Sequence, residues 1–182
     1  AWRDPEFRLA SPDSLTILKP GGAISFKLNT PEGKTLEFPS PAYDGKIKIF
    51  TILGTWCPNC RDEQKFLLDY VHENPAMADE IEIVGFAFER YPDSTMANAQ
   101  LRTYKKKMGI PFDLVYAGPA NKTEAEKVFP ALSKVLAFPT MIILDKKNRV
   151  RRIHTGFDGP ATSKYARFKQ AFTDLMKTLA AE

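Results

Sequence analysis

Both cysteines of the chain fall in one tetrapeptide, Cys57-Pro58-Asn59-Cys60, directly after an apolar run and Gly54-Thr55-Trp56. Thiols this close can open and close one disulfide, the chemistry of thiol-disulfide exchange. The same spacing also serves a structural staple, half a zinc site or a copper site, so the surroundings must discriminate. A staple closing so short a loop restricts the unfolded chain by only about 2 kcal/mol, against nearly 5 for a loop of ~100 residues. Zinc needs two further ligands, and the chain offers only His72 and His154, neither at a ligand-pair spacing. Copper stays open because thiolates are soft ligands, although no Met or His lies near the pair in sequence.

The pair must sit where a strand gives way to a helix. Lys46 to Leu53 begins with alternation and becomes almost continuously apolar, as expected of a strand buried on both faces. From Pro58 to about Asn74, Phe66, Leu67, Tyr70 and Val71 recur at helical spacing, and Pro75 is a stop signal. Cys57 therefore lies at a helix N-terminus, where unpaired N–H groups and the helix dipole favour thiolate over thiol. Its pKa is expected to fall, making it the attacking sulfur. Pro58 suits the early helix because it needs no donor there. Cys60, about one turn on, is expected to be more buried and to resolve the mixed disulfide. Glu63 follows on a neighbouring helical face, either within reach to carry a proton to or from that thiol or, as is usual so early in a helix, as a solvated charge that suits the dipole. Trp56 is placed either to shield the reactive sulfur and offer a flat surface to a partner, or to pack in the core.

The remaining elements follow from periodicity and turn residues. Ile24 to Leu28 and Lys34 to Phe38 flank Thr30-Pro31-Glu32-Gly33 as a β-hairpin after an extended leading segment over residues 1–23. Ile81 to Phe88 is a second buried strand, Ser94 to Met108 a helix ended by Gly109, and Phe112 to Tyr116 a short strand. Lys122 to Leu136 reads as a weaker helix broken at Pro130. Thr140 to Leu144 and Val150 to Thr155 form an antiparallel hairpin, and a helix from about Ala161 to Leu179 carries the stripe Tyr165, Phe168, Phe172, Leu175 and Leu179. No repeat or linker divides the chain, so one domain is expected over residues 1–182.

Composition bounds the function classes. A chain of 182 residues with 43% apolar content can bury a proper core, which argues against disorder. The net charge of +4 and pI near 9.0 are too modest to argue for nucleic acid. The densest basic stretch, Lys146, Lys147, Arg149, Arg151 and Arg152, reads as a solvated hairpin. No apolar stretch approaches the roughly 20 residues that span a bilayer. The sequence begins at Ala1 without Met, and an export signal or lipid anchor removed from its N-terminus is the expectation.

The stretch Gly54-Thr55-Trp56-Cys57-Pro58-Asn59-Cys60, then Glu63 and much later Phe138-Pro139-Thr140, resembles thioredoxin-fold proteins of the TlpA/ResA-like branch, from roughly Ile24 to Leu179. The resemblance implies an α/β thioredoxin-like fold: a central mixed β-sheet flanked by helices, an N-terminal β-hairpin and an inserted strand-helix element. It implies a thiol-disulfide oxidoreductase that reduces client disulfides, apocytochromes among them, at the bacterial periplasmic face and often tethered to the membrane. Electrons would come from a thiol donor, which some such systems embed in the membrane. By position Cys57 resembles the nucleophile, Cys60 the resolving thiol, Glu63 the acid that tunes them and Pro139 a cis-proline against the disulfide. Trp56, Pro58, Phe138 and Pro139 are then expected to meet the client, whose extended segment would pair beside Pro139 as an added strand. No cofactor is implied beyond the Cys57–Cys60 disulfide itself. Two departures stand out: Thr51 replaces a buried Asp of thioredoxin, and Lys65 stands where the family often has Pro. A copper-binding module or a client-binding adaptor without turnover are the competing readings.

Overall fold

In a computed structural model, described here over residues 11–91 and 93–182, the elements follow the expected order, with an added helical turn at Pro75–Ala78, small shifts at β1 and β5, and larger ones at the last two helices. A 3-10 turn at Pro12–Ser14 leads to a two-stranded antiparallel sheet, β1 (Phe26–Asn29) and β2 (Thr35–Phe38). Then come β3 (Ile47–Leu53), α1 (Pro58–Glu73), the single turn α2 (Pro75–Ala78), β4 (Ile81–Glu89), α3 (Ser94–Met108), β5 (Asp113–Pro119), α4 (Lys122–Val128), β6 (Thr140–Leu144), β7 (Val150–Thr155) and α5 (Tyr165–Ala181). The first ten residues of the leading segment lie outside the described residues.

Five strands make the central sheet in the order β5-β4-β3-β6-β7. β3, β4 and β5 run parallel, while β6 and β7 run antiparallel to their neighbours, so the sheet is mixed as expected. Every residue of β3 is buried, which is why its sequence is nearly all apolar. The two-residue period of the strand divides its side chains between two layers. Ile47 and Ile49 face α1 and α5, where Phe66, Leu67, Phe168, Phe172, Met176 and Leu179 pack. Phe50 and Ile52 face the opposite layer, formed with Phe26, Phe38, Phe86 and Phe129. The hairpin β1–β2 caps that second layer as a separate two-stranded sheet, tied to β5 through Lys34 and Asp113.

The caps explain where the helices that frame the site begin and end. Asp93 accepts from Met96 N at the start of α3, and Gly109 closes it at φ 65°, a left-handed turn open to glycine. α1 runs unbroken to Glu73 through Lys65 and stops before Pro75.

Three expectations need correction. α4 ends at Val128 and does not extend to Leu136: Phe129 turns into the core and precedes Pro130, which disfavours helical backbone before it and donates no N–H. α5 starts at Tyr165 and not at Ala161, because Thr162 N and Oγ1 both bond Gly159 O in a tight turn. Its buried stripe takes Met176 in place of Leu175 and Tyr165, which are only partly covered. The basic stretch is ion-paired rather than simply solvated. Arg149 and Arg151 share buried Asp145, Arg152 holds Asp13, and Lys146 holds Glu80.

Candidate active site

The turn that follows β3 delivers Cys57 to the N-cap of α1, with extended backbone angles of −96° and 117°. From there Cys60 N donates to Cys57 Sγ at 3.4 Å, one of the end-of-helix donors that would otherwise lack a partner. Pro58 occupies the first helical turn and is exposed, and Cys60 lies inside. Both thiols are free. Cys57 retains 8% exposure and Cys60 none, which makes one sulfur reachable and the other not.

Electrostatics amplifies that asymmetry. The Cys60 thiol bonds the Cys57 sulfur, the backbone N–H groups of Cys60 and Asn59 add to it, and Arg90 contributes its charge. Against the opposing effect of burial, these hold the Cys57 pKa down to about 6. Burial, its role as donor to Cys57 and the neighbouring charges of Cys57 and Glu63 push the Cys60 thiol up. At neutral pH the arrangement is therefore a Cys57 thiolate beside a protonated Cys60.

Behind the pair lies a buried group of polar side chains. Glu63 is fully buried, and among the described residues neither carboxyl oxygen has a hydrogen-bond partner. Burial raises its pKa to about 8, with the Thr51 hydroxyl offsetting part of this and the Cys57 charge adding to it. Thr51, which stands where thioredoxin carries its acid, accepts from Gln64 Nε2 at 3.0 Å. On the α3 side Tyr104 packs in the same cluster as both cysteines, its hydroxyl buried and likewise unpartnered among the described residues. Burial pushes that phenol up.

The front of the site is held by the end of β4. The parallel register that pairs Leu53 with Ala87 carries Gly54, Thr55 and Trp56 alongside Phe88, Glu89 and Arg90. Trp56 Nε1 donates to Phe88 O at 2.9 Å, and Glu89 accepts both Thr55 N at 2.7 Å and Thr55 Oγ1 at 2.8 Å. Gln100 Nε2 donates a second hydrogen bond to that hydroxyl. The Arg90 guanidinium covers the Trp56 ring, 3.8 Å from its centroid. Gly54 is required by this close approach: a Cβ there would stand 2.4 Å from Trp56 Nε1 and 3.0 Å from Phe88 O.

Phe138 completes the rim. Its ring lies 5.9 Å from Trp56 and stacks on Phe88, and its carbonyl oxygen accepts from the Cys57 thiol at 3.7 Å. The Phe138–Pro139 bond is cis, as the resemblance implied, and Pro139 O is occupied by Gly156 N at 2.8 Å. A second cis bond, Phe38–Pro39, was not expected.

Thus the fold gathers Trp56, Cys57, Pro58, Cys60, Glu63, Phe138 and Pro139 at one place. Trp56 is half-buried, so both readings of it hold in part: one edge is bonded inward and the ring borders Cys57. Sequence reasoning missed Glu89, Arg90, Gln64 and Tyr104. The available signal for Glu89 was a lone carboxylate ending an apolar strand; the others carried none. For copper, no group of three or more His, Cys, Asp or Glu that could hold a metal occurs among the described residues. His154 instead faces Asp13, with Nδ1 2.7 Å from its carboxylate, and tilts against Phe168.

A mixed five-stranded sheet flanked by helices, with Cys-Pro-Asn-Cys at the start of α1 and a cis-proline opposite, defines a thioredoxin-like fold. Solved structures share it. A secreted thiol-disulfide isomerase from Corynebacterium glutamicum aligns at a TM-score of 0.66 with 18% identity, over 97% of this chain and 98% of that one. A DsbF homologue from Corynebacterium diphtheriae aligns at 0.63 with 21% identity, over 95% and 99%. A thioredoxin-family thiol:disulfide interchange protein from Chlorobium tepidum aligns at 0.62 with 21% identity, over 87% and 95%. In sequence, the chain is 33% identical over 79 residues to the thiol:disulfide interchange protein HelX of Rhodobacter capsulatus. That match takes in 43% of this chain and 38% of HelX, so the chain spans about two fifths of the relative's length. No protein-family model matches the sequence.

Proposed function

We propose that the protein is a thiol-disulfide oxidoreductase that reduces disulfides in client proteins by dithiol exchange. The observation that carries this is the opposed state of two neighbouring thiols, Cys57 reachable with its pKa near 6 and Cys60 buried with its pKa raised. The likeness to HelX and to thiol-disulfide proteins of the same fold supports it.

In the first step the Cys57 thiolate attacks one client sulfur. The client S–S bond breaks, a Cys57–client disulfide forms, and the other client sulfur leaves with the electron pair and takes up a proton. Forming that bond removes the Cys57 charge, one cause of the raised Glu63 pKa, so Glu63 ionises more readily at the moment a base is needed. Glu63 then accepts the proton of Cys60, whose sulfur attacks Cys57 and releases the second client thiol. The client gains two electrons and the chain is left with a Cys57–Cys60 disulfide, which an external thiol donor restores. Trp56, Pro58, Phe138 and Pro139 form the surface the client meets.

Insulin reduction driven by dithiothreitol tests the reading: the native protein should accelerate it and Cys57→Ser should not, and equal rates would refute it. We place the protein outside the cytoplasm, with disulfide-bearing clients there, of which the resemblance implies apocytochromes. The secreted isomerase of the same fold supports that location. Among the described residues no helix is long and apolar enough to cross a membrane, so any tether would lie elsewhere.

A further inference from the structure

Arg90 has no part in the exchange steps above, yet it is held at the rim of the reacting sulfur. Its guanidinium carbon lies over the ring of Trp56, the residue immediately before Cys57. The ring is itself pinned by Phe88 O, so the cation is positioned on a fixed platform at the site mouth. Among the described residues Arg90 enters no salt bridge, although it is exposed. Glu89, its chain neighbour, has both carboxyl oxygens occupied by Thr55 and points inward.

We propose that Arg90 is a specificity-determining residue, a fixed cation that favours disulfides bearing an anionic group next to the sulfur attacked by Cys57. This rests on the oxidoreductase reading and adds the kind of client that reading leaves open. A carboxylate flanking the client cysteine would meet the guanidinium as the two sulfurs come into line.

Other titratable groups face Cys57: the Cys60 thiol and Glu63 from α1, and Tyr104 from α3, whose phenol also feels the charge of Arg61. The first three are buried and reach a client only through Cys57 itself. Arg90 differs in being exposed beside it. A unit charge at the edge of a reaction centre in water-like surroundings changes the rate of a singly charged reagent by about three-fold, so the anion-to-cation rate ratio shifts by about ten-fold at low salt.

The test uses three small disulfides of similar size: anionic dithiodiglycolate, neutral bis(2-hydroxyethyl) disulfide and cationic cystamine. Rates of reaction with the fully reduced protein are measured at about pH 8, where Cys57 is ionised with or without Arg90, so thiolate population is not the variable. Native protein should prefer the anion. In Arg90→Gln the anion-to-cation ratio should fall about ten-fold at ~10 mM salt and the difference should shrink at ~0.5 M, while the neutral disulfide changes little. Arg90→Lys should recover part of the preference. The same ratio in native and Arg90→Gln protein overturns the inference alone. Native protein reacting no faster than Cys57→Ser with all three disulfides overturns the oxidoreductase reading instead.

Discussion

The front and back of the cysteine pair are built on opposite rules. In front, the polar groups that hold the turn are matched: Glu89 with Thr55, Trp56 Nε1 with Phe88 O, and Cys57 Sγ with the N–H of Cys60. Behind, the Glu63 carboxyl and the Tyr104 hydroxyl are buried without partners among the described residues. Matched groups hold a geometry, whereas unmatched buried groups have their proton affinities shifted. The front thus fixes where Cys57 stands, and the back sets when protons move. Two thiols one helical turn apart can differ because they belong to different halves of this division.

The largest effect expected is on the back sulfur. Cys60→Ser should leave Cys57 able to attack but unable to be released, so a mixed disulfide with the client should accumulate and turnover should drop by more than about 100-fold. Mass spectrometry of the quenched reaction reads both. A prompt release of client without the intermediate would mean the two sulfurs are not divided as described.

The two halves should also oppose each other in the pH dependence of stability. Glu63 has a folded pKa near 8, above its ordinary 4.5, so the fold favours its protonated form. Its ionisation therefore costs no stability below about pH 4.5, and stability is lost as pH rises from there towards 8. Cys57 has a folded pKa near 6, below its ordinary 9.0, so the reduced protein gains stability as pH rises from about 6 to 9 and loses it as pH falls back through 6. Each contribution is on the order of 4 to 5 kcal/mol over its full range. Urea unfolding of reduced protein between pH 5 and 9 should show Glu63→Gln losing the downward component and Cys57→Ser losing the upward one. A native-like profile in either variant would remove that residue from its assigned half.

A smaller effect is expected at the front. Gly54→Ala drives a methyl group into Trp56 and the Phe88 carbonyl, and overpacking of this kind costs about 2 kcal/mol. Thermal unfolding should show it together with a blue-shifted or weakened Trp56 emission change. The smallest effect has the opposite sign: Tyr104→Phe removes an unmatched buried hydroxyl and should stabilise the protein by up to about 1 kcal/mol. A loss of stability would show that the hydroxyl has a partner and that the back is less bare than described.

The division also tracks what the sequence alone could reveal. Cys57, Cys60 and Glu63 are legible because one helix sets their relations, and helical spacing is written locally. β3, α1 and α3 were legible for the same reason, through burial of a whole strand and through caps at Asp93 and Gly109. Glu89 and Arg90 were not, since they meet Thr55 and Trp56 only through the parallel register of β3 and β4, 34 residues apart in the chain. Gln64 pairing with Thr51 and Tyr104 lying near Cys60 are likewise products of layer packing. α4 was overextended because Phe129 fits a helical stripe as well as it fits the core beneath it, and only packing separates the two.

The leading segment carries a mechanical consequence. Ile17 exchanges hydrogen bonds with Ser133, Lys19 N bonds Ala131 O, Leu18 bridges Leu132, and Asp13 grips Arg152. Tension applied ahead of Ser11 is therefore borne by strand β7 and by the loop running from residue 129 to Pro139, while α1 and its two sulfurs stay off the line of load. Of the two walls around Cys57, a tug on this end of the polypeptide would strain the one that carries the cis-proline.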